Sequence, residues 1–249
     1  MMDIGQGDAL YIEAPNGNNI IIDGGPGDAL LGQLGKVMSL TDRHVDMIMN
    51  TNPDIDHFEG FIPLLDRYSV GAFMVAGTDA ESNPLWRTLE RKIAQEKIPT
   101  ITAMRGQRID MGDGVYIDIL FPDRDVSGLT HNDGSIVARL IYGKTSIMLT
   151  GDSTQKVEKY LVSIYPQSDL QSNILKSDHH GSKTSNSEIF VRTVHPDVAL
   201  ISAGKGNSYG LPSPETLATF DKLNIPYLIT FNEGPIEYDS DGVKFVRVK

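Results

Sequence analysis

The strongest constraint on the fold is a series of short apolar runs that end in acidic, amide or imidazole side chains. The runs are rich in Ile, Val and Leu and are bounded by Gly, Asn and Asp, which is typical of buried strands. Asn16-Gly17, between the first two runs, predicts a hairpin turn. The runs predict strands at Ala9–Glu13, Asn19–Asp23, Met47–Asn50, Ala72–Ala76, Thr100–Ala103, Val115–Phe121, Ile136–Tyr142, Ser146–Thr150, Ile174–Ser177, Val198–Ser202 and Tyr227–Thr230.

Segments with helical periodicity lie between many of these strands. They predict helices at Ala29–Met38, Gly60–Leu65, Asn83–Glu96, Gln155–Tyr165, Ser187–Val194 and Pro214–Leu223. Strands joined first by hairpins and then alternating with helices predict an α/β fold with helices on the outer faces of sheet layers. No low-complexity linker interrupts the chain, so we expect residues 1–249 to form a single domain. Its two halves, about 1–125 and 126–249, would each supply a sheet.

Composition excludes several classes of protein. The 249 residues are 40% hydrophobic and 22% charged, as in a folded globular chain. No apolar stretch approaches the roughly 18 residues needed to span a bilayer. The absence of cysteine excludes disulfides, zinc–thiolate sites, iron–sulfur clusters and thiol catalysis. The formal charge of -11 argues against broad affinity for nucleic acid, because that affinity comes from Lys and Arg.

Polar side chains follow four of the predicted strands directly. They are Asp23, the segment from Asn52 to His57, Asp152, and the Asp178-His179-His180-Gly181-Ser182 segment. The carboxyl ends of strands in layered α/β folds are where ligand sites form. Carboxylates and imidazoles without thiolates suit Zn, Mn, Fe or Mg.

Each of these residues also has an ordinary structural explanation. An Asp after a strand is commonly a turn former or a helix N-cap, and a His pair before Gly-Ser is commonly a surface turn. Their joint occurrence at successive strand ends favours a metal site over these separate explanations.

Seven motifs in order resemble those of a known family. They are Asp3-Ile4-Gly5-Gln6-Gly7-Asp8-Ala9, Ile21-Ile22-Asp23-Gly24-Gly25, Asp56-His57, Asn132-Asp133-Gly134-Ser135-Ile136-Val137, Leu149-Thr150-Gly151-Asp152, Leu175-Lys176-Ser177-Asp178-His179-His180-Gly181-Ser182 and Asn207-Ser208-Tyr209-Gly210-Leu211-Pro212. Together they resemble the metallo-β-lactamase superfamily. Within it they are similar to the hydrolase domain attached to the ComEC DNA-uptake channel and its stand-alone relatives.

The resemblance implies a four-layer αββα sandwich with metal at one edge of its two sheets. It implies one or two ions of Zn2+ or Mn2+, with Asp56 and Asp152 as the catalytic residues. The resemblance implies that the metal ligands are Asp54, Asp56, His57, Asp152, His179 and His180. At the position of Asp54 the family has His or, in some members, Asp.

Two motifs depart from the family pattern. Asn52 stands where the family has the first His of its metal motif, and Leu211 and Ser213 stand where a later motif has His. An amide oxygen is a poorer zinc ligand than imidazole. The departures predict one metal, an altered metal preference or a site without catalysis.

The resemblance implies a metal-dependent hydrolase, a phosphodiesterase or nuclease that acts on single-stranded DNA or a related phosphodiester. In that chemistry a metal-acidified water attacks phosphorus in line. We expect substrate contacts from Asn52, Asn132, Ser182, Lys183, Asn207 and Tyr209. The alternative is a catalytically degenerate domain that binds nucleic acid or a protein partner.

The first motif begins at residue 3, although the family has several strand residues before it. We therefore expect the chain to derive from a longer protein that carries a membrane channel domain. As part of such a DNA-uptake protein, active in competence, this domain would lie on the extracytoplasmic face of the membrane. As a stand-alone protein, it would be cytoplasmic. The sequence leaves the location and the oligomeric state open.

Overall fold

Two mixed β-sheets form the centre of the fold in the computed structural model, which describes residues 1–39 and 41–248. The first sheet has the strand order β1-β2-β3-β4-β5. Its strands β1 and β2 form the predicted hairpin, and the pairs from β2 to β5 are parallel. The strands are β1 (Leu10–Glu13), β2 (Asn19–Ile22), β3 (His44–Asn50), β4 (Ser69–Val75) and β5 (Thr100–Thr102).

The second sheet has the order β12-β11-β10-β9-β8-β7-β6. It is antiparallel from β6 to β9 and parallel from β9 to β12. A separate hairpin pairs β13 with β14. These strands are β6 (Arg108–Gly112), β7 (Val115–Phe121), β8 (Val137–Tyr142), β9 (Thr145–Leu149), β10 (Ile174–Lys176), β11 (Val198–Ile201), β12 (Tyr227–Ile229), β13 (Tyr238–Ser240) and β14 (Phe245–Arg247).

Helices follow many of the strands. Two 3-10 turns lie at Asn132–Gly134 and Asp178–Gly181. In the part of the chain that the structure describes, no helix is long and apolar enough to cross a membrane. The α-helices are α1 (Ala29–Val37), α2 (Ile55–Phe58), α3 (Phe61–Leu64), α4 (Pro84–Gln95), α5 (Gln155–Ile164), α6 (Gln167–Leu170), α7 (Glu188–Val194), α8 (Pro214–Leu223) and α9 (Thr230–Glu233).

The core is divided into layers by the two sheets. Side chains such as Met49 of β3 and Ile117 of β7 form an inner cluster between the sheets. Helices α1, α3 and α4 pack on the outer face of the first sheet, where α4 buries Trp86. Helices α5, α7 and α8 cover the outer face of the second sheet, around Phe190 and Phe220. The predicted four-layer order of helix, sheet, sheet and helix is confirmed.

The predicted strands and helices are present, with small shifts at their ends. Strand β6 was not predicted: Arg108–Gly112 alternates polar and apolar residues, but this short edge strand contains only two apolar side chains, Ile109 and Met111. The sheets divide between β5 and β6, which differs from the expected boundary near residue 125. The reason is that β7 pairs with β8, with Asp118 opposite Arg139, and so belongs to the second sheet.

Parallel pairing brings the predicted polar segments to one edge. Strands β2 and β3 run in the same direction, as do β9, β10 and β11. Their carboxyl ends therefore carry Asp23, the 52–57 segment, Asp152, the 178–182 segment and Ser202 to the same region.

Candidate metal centre

Four buried side chains converge between the two sheets. They are Asp8, His57, Asp152 and His180, and each offers a ligand atom within 4.8 Å of the others. Each side chain is almost completely shielded from solvent. Burial of ionisable groups is costly unless they are paired or bind a metal, so this convergence needs a chemical explanation.

His57 is oriented by a carboxylate behind it. Its Nδ1 lies 2.9 Å from Oδ2 of Asp23 and, because an ionised carboxylate only accepts, Nδ1–H donates. Asp23 is itself held by the Thr51 hydroxyl at 2.7 Å. The opposite nitrogen, Nε2, therefore faces the centre, 3.1 Å from Oδ2 of Asp152. This carboxylate–imidazole arrangement is the one that orients histidines toward metals.

His180 is oriented in the same way by a backbone carbonyl. Its Nδ1 donates to the Ser202 carbonyl oxygen at 3.1 Å. Its Nε2 lies 3.3 Å from Oδ2 of Asp56 and 3.6 Å from Oδ2 of Asp152. The Nε2 atoms of the two buried histidines therefore point toward Asp152.

The turn that carries His180 has a strained backbone. His179 and His180 have φ values of 50° and 53°, in the left-handed region that non-glycine residues rarely adopt. Asn186 braces the turn, because its side chain accepts from the Asp178 amide at 3.1 Å and donates to the Asp178 carbonyl at 3.0 Å. The buried Glu158 carboxylate in turn accepts the backbone amides of Asn186 and Ser187. The hydrogen bonds of Asn186 and Glu158 are buried, and together they fix the backbone that carries His180.

Asp8 reaches the centre from the segment before β1. Its amide donates to the Asp56 carbonyl at 3.1 Å, and the Ser202 hydroxyl donates to the Gly7 carbonyl at 2.6 Å. Gly7 permits this close approach, because a Cβ there would lie 2.3 Å from the Asp56 carbonyl oxygen. Asp8 was not among the predicted ligands, since it precedes a strand rather than following one. Its place in the first motif was the available signal.

We predict that Gly7→Ala destabilises the protein more than Gly5→Ala. Gly5 has a φ of 82° and a Cβ there meets nothing within 4 Å, whereas Gly7 has a φ of 119° and a Cβ there would collide with the Asp56 carbonyl. Gly7→Ala therefore adds a collision that costs about 1–3 kcal/mol to a backbone angle that is farther from the left-handed region that alanine tolerates. Thermal unfolding of the two variants measures the difference, and equal melting temperatures would show that the contact with Asp56 is not limiting.

Lys176, the last residue of β10, places an ammonium group inside the same cluster. Its Nζ contacts Oδ2 of Asp8, donates to the Gly151 carbonyl at 2.7 Å and lies 3.9 Å from Oδ1 of Asp152. The side chain is buried. Sequence reasoning did not predict this position, because a lysine beside a turn is usually solvated.

Opposite charges dominate the electrostatics of the centre. Burial opposes ionisation of Asp152, but His57 and His180 outweigh it and hold the pKa of Asp152 well below its usual range. Burial likewise opposes ionisation of Asp8, but Lys176 and His180 lower its pKa to about 2. For His180, burial lowers the pKa, and the Asp152 and Asp8 carboxylates more than compensate, raising it to about 10.

These shifts predict how the stability of the metal-free protein depends on pH. The pKa of His180 is raised from about 6.5 in the unfolded chain to about 10. The protonated imidazole thus contributes stability that is fully present below about pH 6.5 and is lost as pH rises through 10. Melting temperatures recorded in chelator should fall between pH 6.5 and 9.5, and His180→Gln should flatten the fall. Parallel profiles for the two proteins would contradict this assignment.

The buried polar atoms test whether a metal fits these residues. Within residues 1–39 and 41–248, several of them have no partner in hydrogen-bonding geometry, although charged groups lie near. Among them are Oδ1 of Asp8, Oδ1 of Asp152, Nε2 of His57 and Nε2 of His180. Each buried polar atom left unsatisfied costs about 1–3 kcal/mol. A divalent cation would satisfy such lone pairs, and carboxylate and imidazole donors suit Zn2+ and Mn2+. The residues present fit a metal.

The remaining predicted ligands lie at different distances from this centre. Asp56 and His179 are at its rim, where Nε2 of His179 lies 3.7 Å from Oδ2 of Asp152. Asp54 is outside the four-residue convergence, and its Oδ1 lies 2.7 Å from Nδ1 of His131. Asn52 is buried, and its side-chain oxygen accepts the Asp54 amide at 2.9 Å. Asn52 therefore stabilises the local turn in which the Asp54 side chain faces His131.

Two of the predicted substrate residues are occupied within their own loops. The Ser182 hydroxyl lies 2.9 Å from that of Thr184. The side-chain nitrogen of Asn207 donates to the carbonyls of Gly204 and Leu211. Its side-chain oxygen accepts the backbone amides of Tyr209 and Leu211.

Three other predicted substrate residues lie on segments near the centre. Asn132 belongs to the 3-10 turn just before Ser135, whose hydroxyl accepts the Asp152 amide at 3.3 Å. Lys183 is exposed and lines a cleft of about 280 Å³ beside α5, α7 and α8. Tyr209 is 73% exposed on the loop that Asn207 organises. That loop meets the first motif, where the Gly204 amide donates to the Gln6 side chain at 3.1 Å.

Comparison with known proteins identifies a family and several relatives that this chain is similar to. The family model described as the metallo-beta-lactamase superfamily matches residues 2–205. ComE operon protein 3 of Bacillus subtilis is 28% identical over 255 residues, covering 96% of this chain and 32% of that protein. Competence protein ComA of Neisseria gonorrhoeae is 28% identical over 252 residues, covering 99% of this chain and 33% of that protein. The chain spans about a third of the length of these relatives.

Solved structures support the fold alone. Igni18, a metallo hydrolase from Ignicoccus hospitalis, matches with a TM-score of 0.57 at 12% identity, covering 100% of this chain and 97% of that one. Zn2+-bound PqqB from Methylobacterium extorquens matches with a TM-score of 0.57 at 9% identity, covering 90% of this chain and 85% of that one.

Proposed function

Because the chain belongs to the metallo-beta-lactamase superfamily, we propose that it is a metal-dependent phosphodiesterase that cleaves single-stranded DNA or a related phosphodiester. The observation that carries the proposal is the buried convergence of Asp8, His57, Asp152 and His180. A domain without metal chemistry would gain nothing from burying unsatisfied imidazole and carboxylate atoms together.

His57, His180 and Asp152 would hold the ion, with Asp8 on the far side of the cluster. When bound, a divalent ion would supply Lewis acidity, acidifying a water and neutralising charge that develops on phosphoryl oxygens. Asp23 and the Ser202 carbonyl keep a proton on Nδ1 of each histidine, so that each imidazole would present its Nε2 lone pair to a bound ion once the Nε2 proton has left.

Asp56 and His179 would complete the site at its open side. The Asp56 side chain is 33% exposed, and although burial opposes ionisation, His180 and His57 lower its pKa. It is thus an ionised proton acceptor at neutral pH, placed where substrate would enter. Burial lowers the pKa of His179, which leaves this imidazole neutral and able to contact substrate oxygens.

The choice of a phosphodiester rests on the relatives. The name of one of them, Competence protein ComA of Neisseria gonorrhoeae, places that protein in competence. Another relative, Recombination protein 2 of Haemophilus influenzae, is 30% identical over 217 residues, covering 85% of this chain and 25% of that protein. We propose that this chain serves the same process as a domain of a longer protein. Lys183 and Asn132 would lie along the path of the phosphate backbone.

We predict that Asp152→Ala removes metal-dependent cleavage of a fluorescent single-stranded DNA, by at least about 100-fold, and lowers metal content. Asp152 touches both buried imidazoles, so its loss removes the group around which they are arranged. Asp221→Ala is the matched control, since Asp221 is exposed on α8. Cleavage with added Mn2+, Zn2+ or Mg2+ that survives in Asp152→Ala would remove this centre from the reaction.

We predict that Tyr209→Ala weakens binding of single-stranded DNA, whereas Tyr209→Phe retains it. The exposed ring can stack on a base, which is worth about 1–3 kcal/mol, or roughly 5- to 150-fold in affinity. Fluorescence anisotropy with a labelled oligonucleotide in Ca2+ or chelator measures this without cleavage. Equal loss in both variants would point to the hydroxyl, and no loss in either would exclude a contact.

One observation favours a second candidate function. Asn52 and Asp54 are committed to a local turn and to His131, so part of the family's donor set is absent from the centre. The alternative is a domain that binds nucleic acid or a protein partner without cleaving it. A protein that binds single-stranded DNA but cleaves neither DNA nor a simple diester with any of the three metals would establish this alternative.

A further inference from the structure

The ammonium group of Lys176 is buried among the carboxylates of the centre. It is buried at the carboxyl end of β10, in contact with Asp8 and 3.9 Å from Oδ1 of Asp152. It also donates to the Gly151 carbonyl at 2.7 Å. The Lys176 side chain is thus shielded from solvent, and its ammonium group faces the carboxylates of the centre.

We propose that Lys176 is a built-in cation that limits this centre to one divalent ion. Three buried carboxylates, Asp8, Asp23 and Asp152, and the partly exposed Asp56 lie around the two imidazoles. The Lys176 ammonium contacts Asp8 and lies 3.9 Å from Oδ1 of Asp152, so it already supplies a positive charge on that side of the cluster. A second divalent ion placed there would repel this buried ammonium, which is costly in a shielded site.

The geometry places the ammonium on the side of the cluster away from the open rim. His57 and His180 direct their Nε2 atoms toward Oδ2 of Asp152, whereas Lys176 approaches Oδ1 of the same carboxylate. One oxygen of Asp152 therefore faces imidazoles and the other faces a fixed cation. A second ion bound to Oδ1 of Asp152 would therefore lie close to the Lys176 ammonium, and the two positive charges would repel each other.

Asn52 and Asp54 give independent support. The family motif would supply further ligands from these positions, but Asn52 accepts the Asp54 amide and Asp54 pairs with His131. A second ion would thus lack donors on the 52–54 side and meet the ammonium near Asp8. This inference rests on the proposed function, because it assumes that the centre binds metal.

Native mass spectrometry and calorimetric titration with Zn2+ and Mn2+ test the proposal on the full chain. The wild-type protein should bind one ion at this centre at saturation. Lys176→Met keeps the length of the side chain and removes its charge, so it should bind divalent ions at least about tenfold more tightly or take up a second ion. Lys205→Met is the control, since Lys205 is exposed, and it should match the wild type.

A second readout needs no metal. In chelator, Lys176→Met leaves Asp8 buried without its cation and should lower the melting temperature by about 5 °C or more. The double variant Asp8→Asn with Lys176→Met removes both charges and should recover much of that loss while still binding at most one ion. Recovery distinguishes a charge role from loss of lysine packing, which the double variant would not repair.

The outcomes separate this inference from the proposed function. A wild-type protein that binds no ion overturns the metal-dependent function itself. Two ions in the wild type, or one ion with unchanged affinity and unchanged metal-free melting in Lys176→Met, overturn the role of Lys176 and leave the hydrolase proposal standing. If Lys176→Met alone does not fold, a folded double variant supports the charge role, and two ions in the wild type still overturn it.

Discussion

Buried carboxylates need cations, and this requirement organises the edge where the two sheets meet. Asp152 follows β9 and is almost completely shielded, so its charge is tolerable only because His57 and His180 face it. Each imidazole is in turn oriented from behind, by Asp23 or by the Ser202 carbonyl. The positions of β2, β3, β9, β10 and β11 are thus linked through one set of electrostatic contacts.

The backbone around this centre is adapted to the same requirement. The turn with left-handed conformations at His179 and His180 is held by Asn186, whose side chain accepts the Asp178 amide. The buried Glu158 carboxylate in turn accepts the backbone amides of Asn186 and Ser187. Gly7 allows the first motif to approach the carbonyl of Asp56, and this contact delivers Asp8. Strain and close approach are concentrated where the chemistry is proposed, and regular strands surround them.

Sequence reasoning predicted the layers and the residues that follow parallel strands, because apolar periodicity and strand order determine both. It located His57, Asp152 and His180 at one edge for that reason. It did not predict Asp8 or Lys176 as parts of the centre. Asp8 precedes a strand, and Lys176 is the last residue of one, where only tertiary packing decides whether an ammonium is buried or solvated. The pairing of Asp54 with His131 joins loops that are distant in the chain, so no local pattern indicates it.

Anomalous X-ray diffraction from crystals grown with Zn2+ would show whether the buried convergence of Asp8, His57, Asp152 and His180 is a metal site. We expect an anomalous peak about 2.0–2.3 Å from Nε2 of His57, Nε2 of His180 and a carboxylate oxygen of Asp152. We also expect the ammonium of Lys176 to remain on Asp8 in that crystal. A fully occupied zinc ion at Asp54 and His131, with none at this centre, would show that the metal site lies elsewhere.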